Sequence, residues 1–420
     1  METVHLASAL EVEMDPARAG FDPVRLARID RHLERYVDDG RLPGWLLLVS
    51  RGGAVVHVGV HGQRDREAAL PVETDTLFRI YSMTKPITSV AAMMLYEEGA
   101  FELTTPVSQF IPSFEHVRVY RRGSALRPAT APAGEPVRIW HLLTHTAGLS
   151  YGFHHAHAVD EAYRAAGYEW GQPPGTDLEA ACDTWAGLPL LFEPGTEWNY
   201  SHATDVLGRV CEVASGLPLD RLFGERIFEP LGMTDTGFWV REEQSERLAA
   251  LYTVAPGSTQ AVRNDAMGAR AHGRPLFLSG GGGLVSTAGD YHRFARMLLR
   301  RGELGEARLL GPRTVALMTR NHLPGGADLD AVGRPLFAET TFAGVGFGLG
   351  FSVVLDAVAG KSLGNAGEFG WGGAASTVFW VDPVDEVIVV FMTQLLPSST
   401  YPIRSELRQL VYQALVGGPG

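Results

Sequence analysis

Tyr81-Ser82-Met83-Thr84-Lys85-Pro86 is the stretch from which the rest of the chain is read. Pro86 has no N–H and fits a helix only in its first turn, so a helix is expected to start near Ser82 or Met83. Ile87, Val90, Ala91 and Met94 follow as one apolar stripe. Residues three apart share a helix face, so Lys85 can bring its amine to the Ser82 hydroxyl. A serine hydroxyl is a weak nucleophile until a base takes its proton, and a desolvated lysine can be that base. The helix N-terminus adds a field that favours an alkoxide. The bland alternative is an N-cap serine followed by a solvated lysine, and these residues alone do not choose between the two.

A second segment, Pro194-Gly195-Thr196-Glu197-Trp198-Asn199-Tyr200-Ser201, leads into another helix. Ser201 reads as its N-cap. Ala203, Val206, Leu207, Val210 and Val213 form its apolar face, and Gly216 ends it. Tyr200 is thereby held just ahead of a rigid element. Its phenol can face a cleft and pass a proton beside a lysine, or it can simply pack and hydrogen-bond.

Strand and helix signals lie toward both ends. Asp22-Pro23 opens a helix with Leu26, Ile29, Leu33 and Val37 on one face. Residues 44–49 and 55–60 flank Arg51-Gly52-Gly53 as a β-hairpin. Residues 347–355, 374–381 and 387–393 read as strands, the last two joined by the turn Asp382-Pro383-Val384-Asp385. A final helix carries Ile403, Leu407, Leu410, Val411 and Ala414 on one face. Residues 101–274 are rich in Pro and Gly, with helical segments and few strand runs. The expected fold is α/β (α+β): a sheet flanked by helices, built from residues 1–100 and 275–420, with a mainly helical domain inserted at 101–274.

The net charge of −12 makes nucleic acid a poor partner. No apolar run approaches the ~20 residues that span a bilayer, so no membrane partner is expected. Met1 to Asp15 lacks the pattern of a secretion signal, and the expectation is a cytoplasmic protein. The two cysteines, Cys182 and Cys211, read as free thiols. Neither a metal nor a cofactor is expected. Gly280-Gly281-Gly282-Gly283 lacks the Lys-Ser/Thr of a phosphate loop and reads as a close approach of backbones. Gly148-Leu149-Ser150-Tyr151-Gly152 matches the G-x-S-x-G elbow, but no strand precedes it, so Ser150 is not expected to react. His154, His155 and His157 are expected to rim a pocket, and His141 and His145 to be buried with their hydrogen bonds made.

Ser82 to Lys85, Tyr200-Ser201 and Trp371-Gly372-Gly373 occur in the order seen in serine β-lactamase-like proteins. Residues 142–149, Pro230-Leu231-Gly232-Met233-Thr234-Asp235-Thr236 and residues 282–287 also look familiar. The chain resembles family VIII carboxylesterases, which share the fold of class C β-lactamases and D-Ala-D-Ala peptidases. The resemblance runs from about Phe21 to Ala414. It implies an antiparallel sheet, an acyl-enzyme on Ser82, and proton transfer by Lys85 and Tyr200. It also implies an oxyanion hole from the backbone N–H groups of Ser82 and Ala374. Trp371, Gly372 and Gly373 replace the Lys-Thr-Gly of β-lactamases, and His202 replaces the Asn of Tyr-x-Asn. The first change removes a cation and a hydroxyl that would meet a carboxylate, so a neutral small-molecule ester of short to medium acyl length is the expected substrate. A β-lactamase, D-Ala-D-Ala peptidase, amide hydrolase or acyltransferase on the same scaffold, or a non-catalytic binding protein, are the alternatives. The natural ester and the oligomeric state stay open.

Overall fold

Helix α1, Pro23–Asp38, starts where Asp22 caps it: the carboxylate accepts from the Val24 and Arg25 N–H groups at 2.8 and 3.2 Å. It buries Leu26, Ile29, Leu33 and Tyr36. The expected hairpin follows as β1, Gly44–Arg51, and β2, Ala54–Asp65. Its turn needs Gly52 and Gly53, at φ +59° and +87°. This computed structural model describes residues 10–255, 257–268, 271–334 and 342–418. The first nine residues of the stretch read above as lacking a secretion signal lie outside them.

The main sheet adds β3, Leu70–Pro71, β4, Val345–Phe347, β5, Ser352–Val354, β6, Phe369–Gly372, β7, Val378–Asp382, and β8, Val387–Met392. Its eight strands run in the order β4-β5-β6-β7-β8-β1-β2-β3, every neighbouring pair antiparallel. The two ends of the chain meet at the centre, where Leu46 pairs with Met392 and Val49 with Val389. Every residue of β1 and β8 is buried because both sheet faces are covered. Alternation survives as a choice of core. Leu47, Val49, Val389 and Phe391 join α1 and the last helix, while Leu46, Leu48, Val390 and Met392 join the helices of the other face.

The helices that matter for the site are α2, Thr84–Glu97, α3, Ala203–Ser215, and α4, Ala288–Leu299; α5, Ile403–Tyr412, closes the opposite face beside α1. Residues 347–355 form not one strand but the ends of a β4–β5 hairpin. Gly348 and Gly350 turn the chain there: a Cβ on Gly348 would lie 2.1 Å from the Met318 carbonyl oxygen, and Gly350 has φ +95°. Strand β7 starts four residues later than expected, because Gly373 N–H donates to Thr377 O at 2.8 Å and makes 374–377 a turn. The middle of the chain also holds strands that the pattern hid. Arg118–Ser124 pairs with Arg127–Pro132, and Tyr252–Val254 pairs with Ala261–Arg263 and with Leu395–Leu396. The first hairpin is exposed and arginine-rich, so it carries no apolar alternation. One buried cluster runs from the sheet through α2 and α3 to Trp185 and Phe223. We propose residues 101–274 as an inserted unit on chain order alone. Among the described residues, no helix is long and apolar enough to cross a membrane.

Candidate active site

Ser82 sits in the middle of a 3-10 turn, Tyr81–Met83, that feeds directly into α2. The helix proper begins at Thr84, and no side chain caps either element, so Ser82 is not an N-cap. Tyr81 holds φ +44°, a backbone region that non-glycine residues rarely adopt. This turn lifts Ser82 into the wall of a cavity of about 1200 Å³.

Lys85 is 1% exposed, so it is no surface lysine. Its Nζ lies 3.2 Å from Ser82 Oγ, 3.1 Å from Tyr151 Oη and 2.7 Å from Gly281 O. An ammonium donates to all three. A neutral amine still donates to Gly281 O, which only accepts, and keeps a lone pair for one of the two hydroxyls, which can reverse their roles. The same geometry therefore serves both protonation states.

The glycine run makes this possible. A Cβ on Gly281 would lie 2.7 Å from Asp205 Oδ2, one on Gly280 2.9 Å from Thr204 O, and one on Gly283 2.9 Å from Ser279 O. The close approach read from the sequence is what the run provides. Asp205, buried on α3, accepts from Gly281 N–H at 2.9 Å and Ser279 Oγ at 2.6 Å, and pairs with His202 Nδ1 at 3.1 Å. It thus holds the peptide whose carbonyl faces Lys85. Burial pushes the Asp205 carboxyl upward, but the hydrogen bond and charge of His202, with Lys85 and Ser279, outweigh it and hold the group below its ordinary value. Burial lowers His202 against the pull of Asp205. Its ring stacks on Trp185 at 4.1 Å and meets Tyr151 edge-on at 4.3 Å.

Tyr200 lies two residues ahead of the His202 N-cap of α3. Ser201 is not the N-cap, although its Oγ accepts from Ala203 N–H at 3.3 Å. Lys85 Nζ lies 4.5 Å from the Tyr200 ring centroid, and Trp371 Nε1 donates to Tyr200 Oη at 3.2 Å. The phenol that hydrogen-bonds the amine is Tyr151, which sequence reading missed. Its one signal was its place in the G-x-S-x-G stretch, discounted along with Ser150. Burial, then Tyr200 and Asp205, push the Tyr151 hydroxyl well above its ordinary value, so it stays protonated.

Trp371, Gly372, Gly373 and Ala374 line the same cavity. Gly373 is required: a Cβ would sit 2.3 Å from Ile80 O, on the backbone just ahead of Ser82. That contact brings Ala374 to the Ser82 side of the cavity. Trp371 and Gly372 bring no charge to this wall, but a cation from another element lies beside them. Arg404 of α5 lies against Gly372 and donates to Gly373 O at 2.8 Å and Thr377 O at 3.0 Å.

Ser150 is fully buried and donates to Asp160 Oδ1 at 2.6 Å. His154 Nε2 bonds Tyr200 O at 2.7 Å, His155 pairs with Glu169 at 3.0 Å, and His157 caps the helix Ala158–Ala165. His141 is buried with Nδ1 accepting from Arg138 N–H at 3.1 Å. His145 lies 3.3 Å from Ser201 Oγ, and burial beside Lys85 holds it well below its ordinary value, hence neutral. Cys182 and Cys211 are buried free thiols. Among the described residues, no three His, Cys, Asp or Glu side chains are grouped to hold a metal ion.

A buried amine beside a serine hydroxyl, on an antiparallel sheet flanked by helices, defines a class, and comparison with known proteins agrees with it. Residues 29–413 match the Beta-lactamase family model, and the chain belongs to that family of serine hydrolases and acyltransferases, with the class C β-lactamase and penicillin-binding-protein fold. The chain is 38% identical to Protein Rv1367c of Mycobacterium tuberculosis over 86% of this chain and 88% of that one. It is 32% identical to Esterase EstB of Burkholderia gladioli over 95% and 98%. Among solved structures it is similar to EstCE1, a hydrolase with promiscuous acyltransferase activity: TM-score 0.77, 30% identity, 93% and 99% covered.

Proposed function

We propose that this protein hydrolyses carboxylic esters through an acyl-enzyme on Ser82. The observation that carries the reading is the Lys85 amine, buried and 3.2 Å from the Ser82 hydroxyl on the cavity wall. In its neutral form Lys85 takes the Ser82 proton as Oγ attacks the ester carbonyl. Gly281 O and Tyr151 hold the amine while this happens. The N–H groups of Ser82 and Ala374 face the oxygen that gains charge; a donor of this kind is typically worth ~2.7–4 kcal/mol. Collapse of the tetrahedral adduct releases the alcohol, which takes back the proton held by Lys85; Tyr200, whose ring lies 4.5 Å from the amine, is the phenol proposed to help relay it. Water then attacks the acyl-enzyme by the same steps in reverse.

The preference for esters is supported by the likeness to an esterase over nearly the whole chain and to a hydrolase of known structure. Trp371 supports it as well, because its indole is committed to Tyr200 and brings no charge of its own to a β-lactam carboxylate, while the Arg404 guanidinium beside it donates to the backbone at Gly373 O and Thr377 O. The test is kinetic. The specificity constant for short esters should exceed that for penicillins and cephalosporins, and the reverse order would overturn the reading. EstCE1 favours a second outcome, transfer of the acyl group to an added alcohol, which product analysis would show as a new ester.

A further inference from the structure

Three rings step outward from the Lys85 amine. Tyr151, whose hydroxyl touches the amine, stacks on Phe153 at 4.5 Å and 21°, and Phe153 stacks on Trp170 at 4.6 Å and 16°. All three line the cavity that holds Ser82, and Trp170, at 42% exposed, stands at its mouth. We propose that this wall selects esters bearing a flat aromatic group over saturated esters of equal size. The proposal rests on the ester-hydrolase reading and names its substrate class.

Phe153 has a ring against each face, so what it presents to the cavity is its edge. Ring edges carry partial positive charge and favour the negative face of an aromatic over a saturated group of equal size. The wall is also held in place before substrate arrives. A Cβ on Gly152 would lie 2.3 Å from Tyr168 O, so glycine lets the loop carrying Trp170 close on the turn carrying Phe153. Arg164 donates to Gly152 O at 2.6 Å, His155 pairs with Glu169 across the two segments, and His154 ties the first of them to Tyr200 O. The histidine-rich stretch thus acts as the clamp of the wall. A surface fixed in advance loses little freedom on binding.

The experiment uses the full chain and two esters with the same kind of leaving alcohol, 2-naphthylmethyl acetate and its decahydronaphthyl counterpart, with ethyl acetate as reference. The parent is expected to favour the naphthyl ester in kcat/KM, mainly through KM. Trp170→Ala and Phe153→Leu are each expected to lower the naphthyl-to-decahydronaphthyl ratio about three- to tenfold, and Trp170→Phe to restore most of it. Thermal unfolding checks that each variant is folded, and the half-exposed Trp170 carries the test if Phe153→Leu is not. A parent that turns over all three esters with no aromatic preference, or a ratio unmoved by Trp170→Ala, overturns the wall. A parent that turns over none of the three overturns the ester reading and the wall with it.

Discussion

Gly281→Ala tests the link between the glycine run and the chemistry. The added methyl would lie 2.7 Å from Asp205 Oδ2 and 3.0 Å from its Cγ. An ordinary contact needs about 3.4 Å, so the carboxylate must retreat by roughly 0.7 Å. The Gly281 N–H bond, 2.9 Å in the parent, then stretches past hydrogen-bonding range. A stranded buried N–H costs about 1–3 kcal/mol, which lowers the melting temperature by a few degrees in a chain of this size. The larger effect falls on activity. Gly281 O is 2.7 Å from Lys85 Nζ, and a shift approaching 1 Å in what orients a catalytic base costs on the order of 10²-fold in rate. Gly283→Ala is the control. It meets Ser279 O at 2.9 Å and the Phe238 ring at 3.0 Å, so it imposes similar crowding without touching the carboxylate. The assay is kcat/KM on a short ester, measured also in an Asp205→Ala background, where the clash is gone and Gly281→Ala should add little. Activity of Gly281→Ala within about threefold of the parent, or an equal loss in both backgrounds, would refute the reasoning.

Ser82→Ala should abolish both turnover and the acyl adduct seen by intact mass spectrometry, while Ser150→Ala should keep the adduct and lose only stability, since Ser150 bonds the buried Asp160. Tyr151→Phe keeps the ring in the aromatic wall but removes the hydroxyl 3.1 Å from Lys85. Its kcat/KM should fall about tenfold with the naphthyl preference retained. Burial holds His141 at about 4 and His292 at about 3, against an ordinary 6.5. Below about pH 6.5 the unfolded chain therefore binds more protons than the folded one, and stability falls as pH drops. Denaturant unfolding at pH 8 and pH 5 should differ by about 2 kcal/mol for each histidine, and His292→Gln should remove one such share.

The sheet was legible because its central strands come from near the two ends of the chain and each carries an unmistakable apolar run, as in 44–49 and 387–393. The short strands were not. Val345–Phe347 and Ser352–Val354 gain their shape from Gly348 and Gly350 fitting against the Met318 carbonyl and Ser89, contacts invisible in the local pattern. In the site, Ser82 and Lys85 could be paired because one helical turn relates them. Tyr151 and Asp205 could not, because they reach the amine across 66 positions and through the Gly281 peptide respectively.

Arg404 reaches the substrate wall from a helix whose apolar face gives no sign of it. Ile403, Leu407 and Val411 mark the buried side of α5, and a second side lies between them. That second side looks into the cavity, and Arg404 and Arg408 line it. Arg408 pairs with the buried Glu368, whereas Arg404 donates to the carbonyls of Gly373 and Thr377. Those two carbonyls bracket the turn that carries Ala374. The guanidinium therefore has two effects at once: it returns positive charge to a wall from which Trp371 had removed a lysine, and it fixes the peptide proposed to receive the oxyanion.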